Sequence, residues 1–345
     1  MPRVLYLCPG LDQKPYGGKR RIYHHVDVLT GAGFESYVVH ARRGSRLRWF
    51  NNETPVLYAP VKLRRDDMLV IPEVYRERLY TISPGTCRVS LNLNVFNWTP
   101  PEADAYRETV QATITNSRYS RHLLERLVPG HNVVRVPHGI DADTWRPQFD
   151  FRRRKISFMP RKEPLLAQQL IRILMDNPRH DWEFTSIDGF PEREVARHLQ
   201  ESEMFLSFSK QEGFGRPPVE AMACGASVIG FAGVAGREYF DCTGAKEVRQ
   251  GDILAFAEAV TSWLDLYERE PEKLRAQQLV DASSVQQMYS LTQERKSLIT
   301  FFSELQYQTS PAAQARAILK PEDVEPAGGL YRRTRKRLSR KLRRA

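Results

Sequence analysis

The sequence predicts an α/β protein built from two doubly wound parallel sheets. Three observations carry that expectation. The chain has 345 residues, more than one typical hydrophobic core organises. Short apolar runs alternate with amphipathic stretches of helical length, the rhythm of strand–helix–strand units with parallel pairing. That rhythm runs twice, on either side of a charged, turn-rich stretch, so two sheet domains are expected to face each other.

In order along the chain, residues 4–8, 36–40, 68–71, 88–93, 112–115 and 133–136 read as strands, with helices at 20–30, 103–110 and 118–127. The first run, inside MPRVLYLCPG, is too short for a secretory signal and suits a core strand. The stretch HGIDADTWRPQFDFRRR, from His138 to Arg154, carries turn formers and charge without periodicity and reads as the join. Beyond it, strands are expected at 156–159, 182–187, 204–208 and 227–231, and helices at 164–175, 192–201, 217–223 and 253–267. Residues 285–305 read as one terminal helix, and 311–329, rich in Ala, Pro and Gly, as a linker. The expected division is therefore 1–150, 151–285, a terminal helix within 286–310, and a linker and tail over 311–345.

Composition removes several function classes. No run approaches the roughly 18 apolar residues of a membrane span. Cys8, Cys87, Cys224 and Cys242 are widely spaced, without a Cys-x-x-Cys, and suit reduced thiols rather than a disulfide frame or zinc site. No Gly-x-Gly-x-x-Gly follows the first strand, which argues against a dinucleotide enzyme. Net charge is +11, but the last fifteen residues, YRRTRKRLSRKLRRA, hold nine Arg and Lys and no acid. The body before them is nearly neutral and offers no basic, aromatic-studded face on that count, so a nucleic-acid binder is the weaker reading.

The most informative stretch is EGFGRPPVEAMACG, Glu212 to Gly225. Two carboxylates, Glu212 and Glu220, bracket Gly213-Phe214-Gly215 and the pair Pro217-Pro218. Proline suits the first turn of a helix, where no backbone donor is needed. Glu212 is then expected on a tight loop and Glu220 in the first turn of the following helix. Free N–H groups at a helix start suit a phosphate, and carboxylates accept paired hydrogen bonds from hydroxyls. A diphosphate between two polyhydroxyl ends, a nucleotide-sugar, fits that set.

Three other places can contribute. Gly17-Gly18 follow the first strand and precede a helix, where the backbone can approach a ligand closely. Arg161-Lys162 end the first strand of the second half, and strand carboxyl ends are where open α/β sheets bind ligands. Two cations there can neutralise a departing diphosphate. Asn94 ends a first-half strand and can hydrogen-bond a hydroxyl, although a turn role explains it equally. Asp141-Ala-Asp143 has the form of a metal-binding Asp-x-Asp, but in a linker turn paired aspartates more often cap backbone donors, and no metal site is expected.

The run from Glu212 to Glu220 resembles the Glu-x7-Glu motif of the retaining GT-B glycosyltransferases of family 4. The resemblance implies two facing Rossmann-like domains with a cleft between them. It implies that Glu212 binds the donor sugar, Glu220 binds the nucleotide ribose, and Gly17-Gly18 border the sugar and phosphates. It also implies a terminal helix that crosses back to the N-terminal, acceptor-side domain. Pro137, His138, Gly139, Ile140, Asp141, Trp145 and Pro147 match the family's connector, with His138 in place of its usual Asn. Arg216 stands where most members have Leu, and Asn94 lies in the strand where many members place a His.

By this resemblance the chain is expected to be a metal-independent hexosyltransferase. Its co-substrate is a nucleotide-diphosphate sugar, with no further cofactor. The acceptor is a glycan or lipid-linked glycan of bacterial surface-polysaccharide or lipopolysaccharide assembly, with the Pro-Arg-Lys run pointing to rhamnosyltransferase-like members. The tail from Tyr331 to Ala345 is expected to rest on an anionic membrane, which gives a cytoplasmic protein peripheral at the inner face. No specific nucleic acid is expected. A sugar-nucleotide epimerase of similar fold is the rival enzyme, and it would turn over donor without an acceptor.

Overall fold

The computed structural model describes residues 2–10, 17–100, 102–151, 153–176, 181–305 and 318–325. The elements follow the predicted rhythm. They begin with β1 (Val4–Leu7), α1 (Gly17–Thr30), β2 (Ser36–His40), β3 (Val56–Tyr58), β4 (Val61–Lys62), β5 (Met68–Pro72) and β6 (Cys87–Asn92). Then come α2 (Ala103–Thr109), β7 (Ala112–Thr115), α3 (Arg118–Leu127), β8 (Val133–Arg135), β9 (Arg153–Phe158), α4 (Pro164–Met175), β10 (Glu183–Ser186) and α5 (Glu192–Gln200). The remainder is β11 (Ser202–Glu212), α6 (Arg216–Ala223), β12 (Ser227–Val234), α7 (Arg237–Phe240), β13 (Lys246–Glu247), α8 (Ile253–Arg269), α9 (Pro271–Met288), α10 (Leu291–Glu304), β14 (Ile318–Leu319) and α11 (Pro321–Val324).

Contacts divide the chain into two units. The first holds residues 1–91, 100–113 and 305–345; the second holds 92–99 and 114–304. In the first, β3, β2, β1, β5 and β6 are neighbours in that order, and each of these pairings is parallel. Val4, Leu5, Leu7, Leu69, Val70, Ile71, Val89 and Leu91 are fully buried, as continuous apolar runs must be when a parallel sheet is covered on both faces. α1 turns Ile22, Val26 and Leu29 into this core. The C-terminal pieces of the chain belong here too: β14 pairs antiparallel with β4, and Tyr75 Oη donates to Val324 O at 2.5 Å.

The second unit contains a five-stranded parallel sheet in the order β10-β9-β11-β12-β13. Helices cover both faces, which is the doubly wound arrangement. One core layer joins Phe205, Val219, Met222, Phe240 and Tyr289 with Trp145 of the connector. The other joins Ile156, Leu170, Leu206, Phe231, Phe256 and Trp263.

Element boundaries depart from expectation where tertiary contacts intervene. Residues 285–305 are not one helix. α9 already begins at Pro271, and the helical path breaks at Tyr289-Ser290. There Tyr289 leaves helical geometry (φ −124°, ψ 42°), its carbonyl accepts from Ile140 N at 2.6 Å, and Ser290 bridges to Ile140. Ser290 Oγ then accepts from Gln293 N at 3.2 Å and caps α10. The connector is built into the second unit rather than standing free of it: Trp145 is 2% exposed, and Gly139 N donates to Glu294 Oε2 at 2.7 Å. Asp141 acts as a cap, accepting from Asp143 N at 3.1 Å and Thr144 Oγ1 at 2.6 Å. The linker at 311–329 lies largely, and the basic tail at 331–345 wholly, outside the described residues.

Candidate active site

β11 is the central strand of its sheet, flanked by β9 and β12, and runs longer than its apolar stretch. Its register against β12 shifts between Ser209 and Glu212, and Gln211 takes a left-handed φ of 39°. That bulge turns the polar end Lys210-Gln211-Glu212 beyond the core. Glu212 is thus the last strand residue rather than a loop residue, opposite Val234 of β12. Its Oε1 lies 2.9 Å from Lys162 Nζ, in the turn between β9 and α4. A second pair, Lys210 Nζ to Glu163 Oε1 at 2.7 Å, ties the same two segments. Two strand carboxyl ends are thereby joined by opposite charges. Arg161, beside Lys162, is exposed.

Gly213-Phe214-Gly215 connect the strand to α6, and each has a reason in the packing. A Cβ on Gly213 would collide with the Leu93 carbonyl and lie 2.7 Å from Asn94 Cα, so only glycine admits this backbone approach. Gly215 has φ 82° and caps α6 without a side chain. Phe214 is 2% exposed and packs against His138, Tyr239 and Tyr289 at ring separations of 5.0–5.5 Å. Its side chain belongs to the core; what it can offer a ligand is backbone.

α6 begins one residue earlier than expected, at Arg216, so Glu220 is its fifth residue and lies beyond the first turn. Glu220 is 8% exposed, and its Oε1 is 2.8 Å from Arg216 Nη2. The residue that departs from the family pattern therefore contacts the second motif carboxylate. Arg216 Nε is buried and has no hydrogen-bond partner among the described residues.

Asn94 belongs to the second unit and folds locally. Its Oδ1 accepts from Phe96 N at 3.1 Å, and its Nδ2 donates to Gln211 O at 3.3 Å, one residue before Glu212. Gly17 and Gly18 open α1 in the first unit. The second unit thus brings together Lys162, Glu212, Gly213 and Asn94, with Glu220 and Arg216 on the following helix.

Two residues support the turn and its surroundings. Tyr239 Oη donates to Phe214 O at 3.0 Å and Gly215 O at 2.8 Å, which fixes the turn after Glu212. Burial pushes its phenol well above the usual tyrosine range, so it remains a donor. Glu238 accepts from Arg118 N at 2.6 Å, Arg135 Nη2 at 3.0 Å and Tyr289 Oη at 3.0 Å. Both follow the Gly233–Gly236 loop, whose Gly233, at φ 66°, would bring a Cβ within 2.8 Å of Ser209 Cβ. The side-chain roles of Tyr239 and Glu238 carry no spacing signal in the sequence.

A family model described as glycosyl transferases group 1 matches residues 162–265, a span that starts at Lys162 and includes both motif carboxylates. The chain is 33% identical over 282 residues to an alpha-1,6-glucosyltransferase of Actinobacillus pleuropneumoniae serotype 7 (strain AP76), covering 76% of this chain and 83% of that protein. Sucrose-phosphate synthase from Thermosynechococcus elongatus superposes with a TM-score of 0.65 at 12% identity, over 88% of this chain and 99% of its own. Anabaena HepE, solved with UDP and glucose, gives 0.62 at 12% identity over 88% and 100%. The lipopolysaccharide outer core galactosyltransferase WaaB gives 0.60 at 11% identity over 88% and 100%.

Proposed function

The chain belongs to the group 1 glycosyl transferases and has the GT-B fold, and on that premise we propose that it moves a hexose from a nucleoside-diphosphate sugar to an acceptor hydroxyl with retained configuration. The observation that carries this reading is the pair Lys162–Glu212 at the carboxyl ends of β9 and β11, beside a glycine turn and the start of α6. A sugar hydroxyl group can take the free carboxylate oxygen of Glu212. Arg161 and Lys162 can meet the phosphates as the diphosphate departs, and the α6 N-terminus adds positive potential. Glu220, held by Arg216, is the acceptor for ribose hydroxyls. In a front-face reaction the leaving diphosphate helps to take the acceptor proton, so no protein nucleophile is called for.

In this reading residues 1–150 carry the acceptor side and 151–285 the donor side, and Gly17 and Gly18 offer backbone at the start of α1. HepE was solved with UDP and glucose and the pneumococcal GtfA with UDP and GlcNAc, which supports a uridine diphosphate sugar as donor class. The relative's name favours glucose over the rhamnose that the sequence suggested. The function proposed is surface-glycan assembly, with the tail resting on the inner face of an anionic membrane. Family membership does not favour the epimerase or the nucleic-acid binder.

The test is transfer to glycan acceptors from a panel of nucleotide-sugars, with the product anomer assigned by NMR. Retention is expected, with activity undiminished by EDTA. An inverted product, donor turnover that needs no acceptor, or loss of activity to EDTA with rescue by a divalent ion would each overturn the corresponding part.

A further inference from the structure

We propose that the loop between β2 and β3 is a second binding site, for a saccharide bearing carboxylate or phosphate. Residues 46–52 line a shallow, open surface pocket of about 500 Å3. Its floor is aromatic: the Trp49 and Phe50 rings meet edge to face at 4.7 Å, and Phe50 packs edge to face on Tyr23 at 5.4 Å. The indole Nε1 of Trp49 is buried and finds no acceptor among the described residues. Arg48 is exposed on the lining. The Arg20 guanidinium lies 5.8 Å from the Phe50 centroid.

The loop is built, not merely exposed. Arg46 donates to Asn52 Oδ1 at 2.8 Å, Asn52 O at 3.1 Å and Thr54 O at 2.8 Å. Asn52 Nδ2 returns to Leu47 O at 3.0 Å and Phe50 O at 3.1 Å, and Leu47 N donates to Tyr23 Oη at 3.1 Å. Such internal bonding preforms a site and lowers the ordering cost of binding. Charge points the same way. Residues 41–50 contain Arg42, which pairs with Glu325 at 3.2 Å, and Arg43, Arg46 and Arg48, with no acid among them, and Arg46 and Arg48 line the pocket.

The chemistry selects the ligand. Aromatic faces cover the C–H face of a sugar ring, and guanidinium groups match carboxylate and phosphate. A single-stranded nucleic acid calls for a succession of stacking platforms along a basic groove. Here Phe50 is covered by Tyr23 and Arg20, which leaves Trp49 as the platform. That the ligand is the acceptor rests on the transferase reading above; that it binds here does not.

The experiment is calorimetric titration of the full chain with trigalacturonate, a phosphorylated maltotriose, plain maltotriose and a single-stranded DNA 12-mer. At least one anionic saccharide is expected to bind about tenfold or more tightly than maltotriose, and the two anionic arms separate carboxylate from phosphate. Arg48→Gln, at an exposed position, and Trp49→Ala should each weaken that binding about tenfold while UDP binding is unchanged. If Trp49→Ala fails to fold, Arg48→Gln carries the test alone. Equal binding of neutral and anionic sugars, no anionic binding by the parent chain, unchanged binding in the folded variants, or DNA binding more tightly than both saccharides would overturn the proposal. Absence of UDP binding by the parent chain would count against the donor reading only.

Discussion

The Nζ of Lys162 lies 2.9 Å from Oε1 of Glu212, across the carboxyl ends of two neighbouring strands. Lys162 is 45% exposed, so this ion pair contributes little to stability, about 0–1 kcal/mol. Glu212→Ala should therefore fold with an almost unchanged melting temperature yet lose on the order of 100-fold or more in transfer rate. Near-parental turnover in a folded variant would remove Glu212 from the site. Lys162→Met separates positioning from charge: a raised KM for the donor with kcat retained would leave Lys162 only a binding role.

Glu220→Ala should act on nucleotide affinity. Losing hydrogen bonds to a charged group costs about 1.5–3 kcal/mol, on the order of 10- to 100-fold in Kd. It also strips Arg216 of the carboxylate that holds it, so a fall in melting temperature is expected as well. Glu220→Ala with Arg216→Leu should recover stability but not affinity. Calorimetry with UDP beside a thermal melt reads both; unchanged affinity in the single variant would make Glu220 a structural partner of Arg216.

Gly213→Ala places a methyl group against the backbone of Leu93 and Asn94. Overpacking of this kind costs about 1–3 kcal/mol, and the segment that must yield adjoins Glu212. Activity should fall together with urea stability. A stable, fully active Gly213→Ala would show that the 92–94 backbone moves freely.

His40 in the first unit gives a pH dependence. It is 1% exposed and bonded to Tyr23 Oη at 2.7 Å. Burial first, and then the charges of Lys19 and Arg46, hold it at about 4 against an ordinary 6.5. Between those values the unfolded chain binds the extra proton and the folded chain does not. Stability is therefore full above pH 6.5 and declines as pH falls toward 4, by roughly 2 kcal/mol at pH 5. Urea unfolding at pH 7.5 and 5 should show that slope, and His40→Asn should flatten it.

The strand–helix rhythm was legible because buried parallel strands are written as continuous apolar runs, as at Val4–Leu7 and Met68–Pro72. α4 was read at its observed bounds, Pro164–Met175, since a proline opens it and its apolar face repeats with helical period. What was not legible depends on distant partners. The break at Tyr289 is set by Ile140, far upstream, while the helical pattern runs on through it. Gly213 looks like any turn glycine until Leu93 is placed against it. The start of α6 was misplaced because Gly215, a left-handed cap with no side chain, replaces the usual Ser, Thr or Asp signal. The arginine-rich loop escaped because charge summed over the body averages it away.

The stitching of Ile318–Leu319 and Pro321–Val324 to the first unit decides what the end of the chain can pull on. Anything fastened beyond Glu325, whether a lipid surface gripping the arginines or a fused label, is leashed to the unit that carries Trp49 and not to the one that carries Glu212. A pull applied there is borne first by the β14–β4 pairing and by the Tyr75–Val324 hydrogen bond.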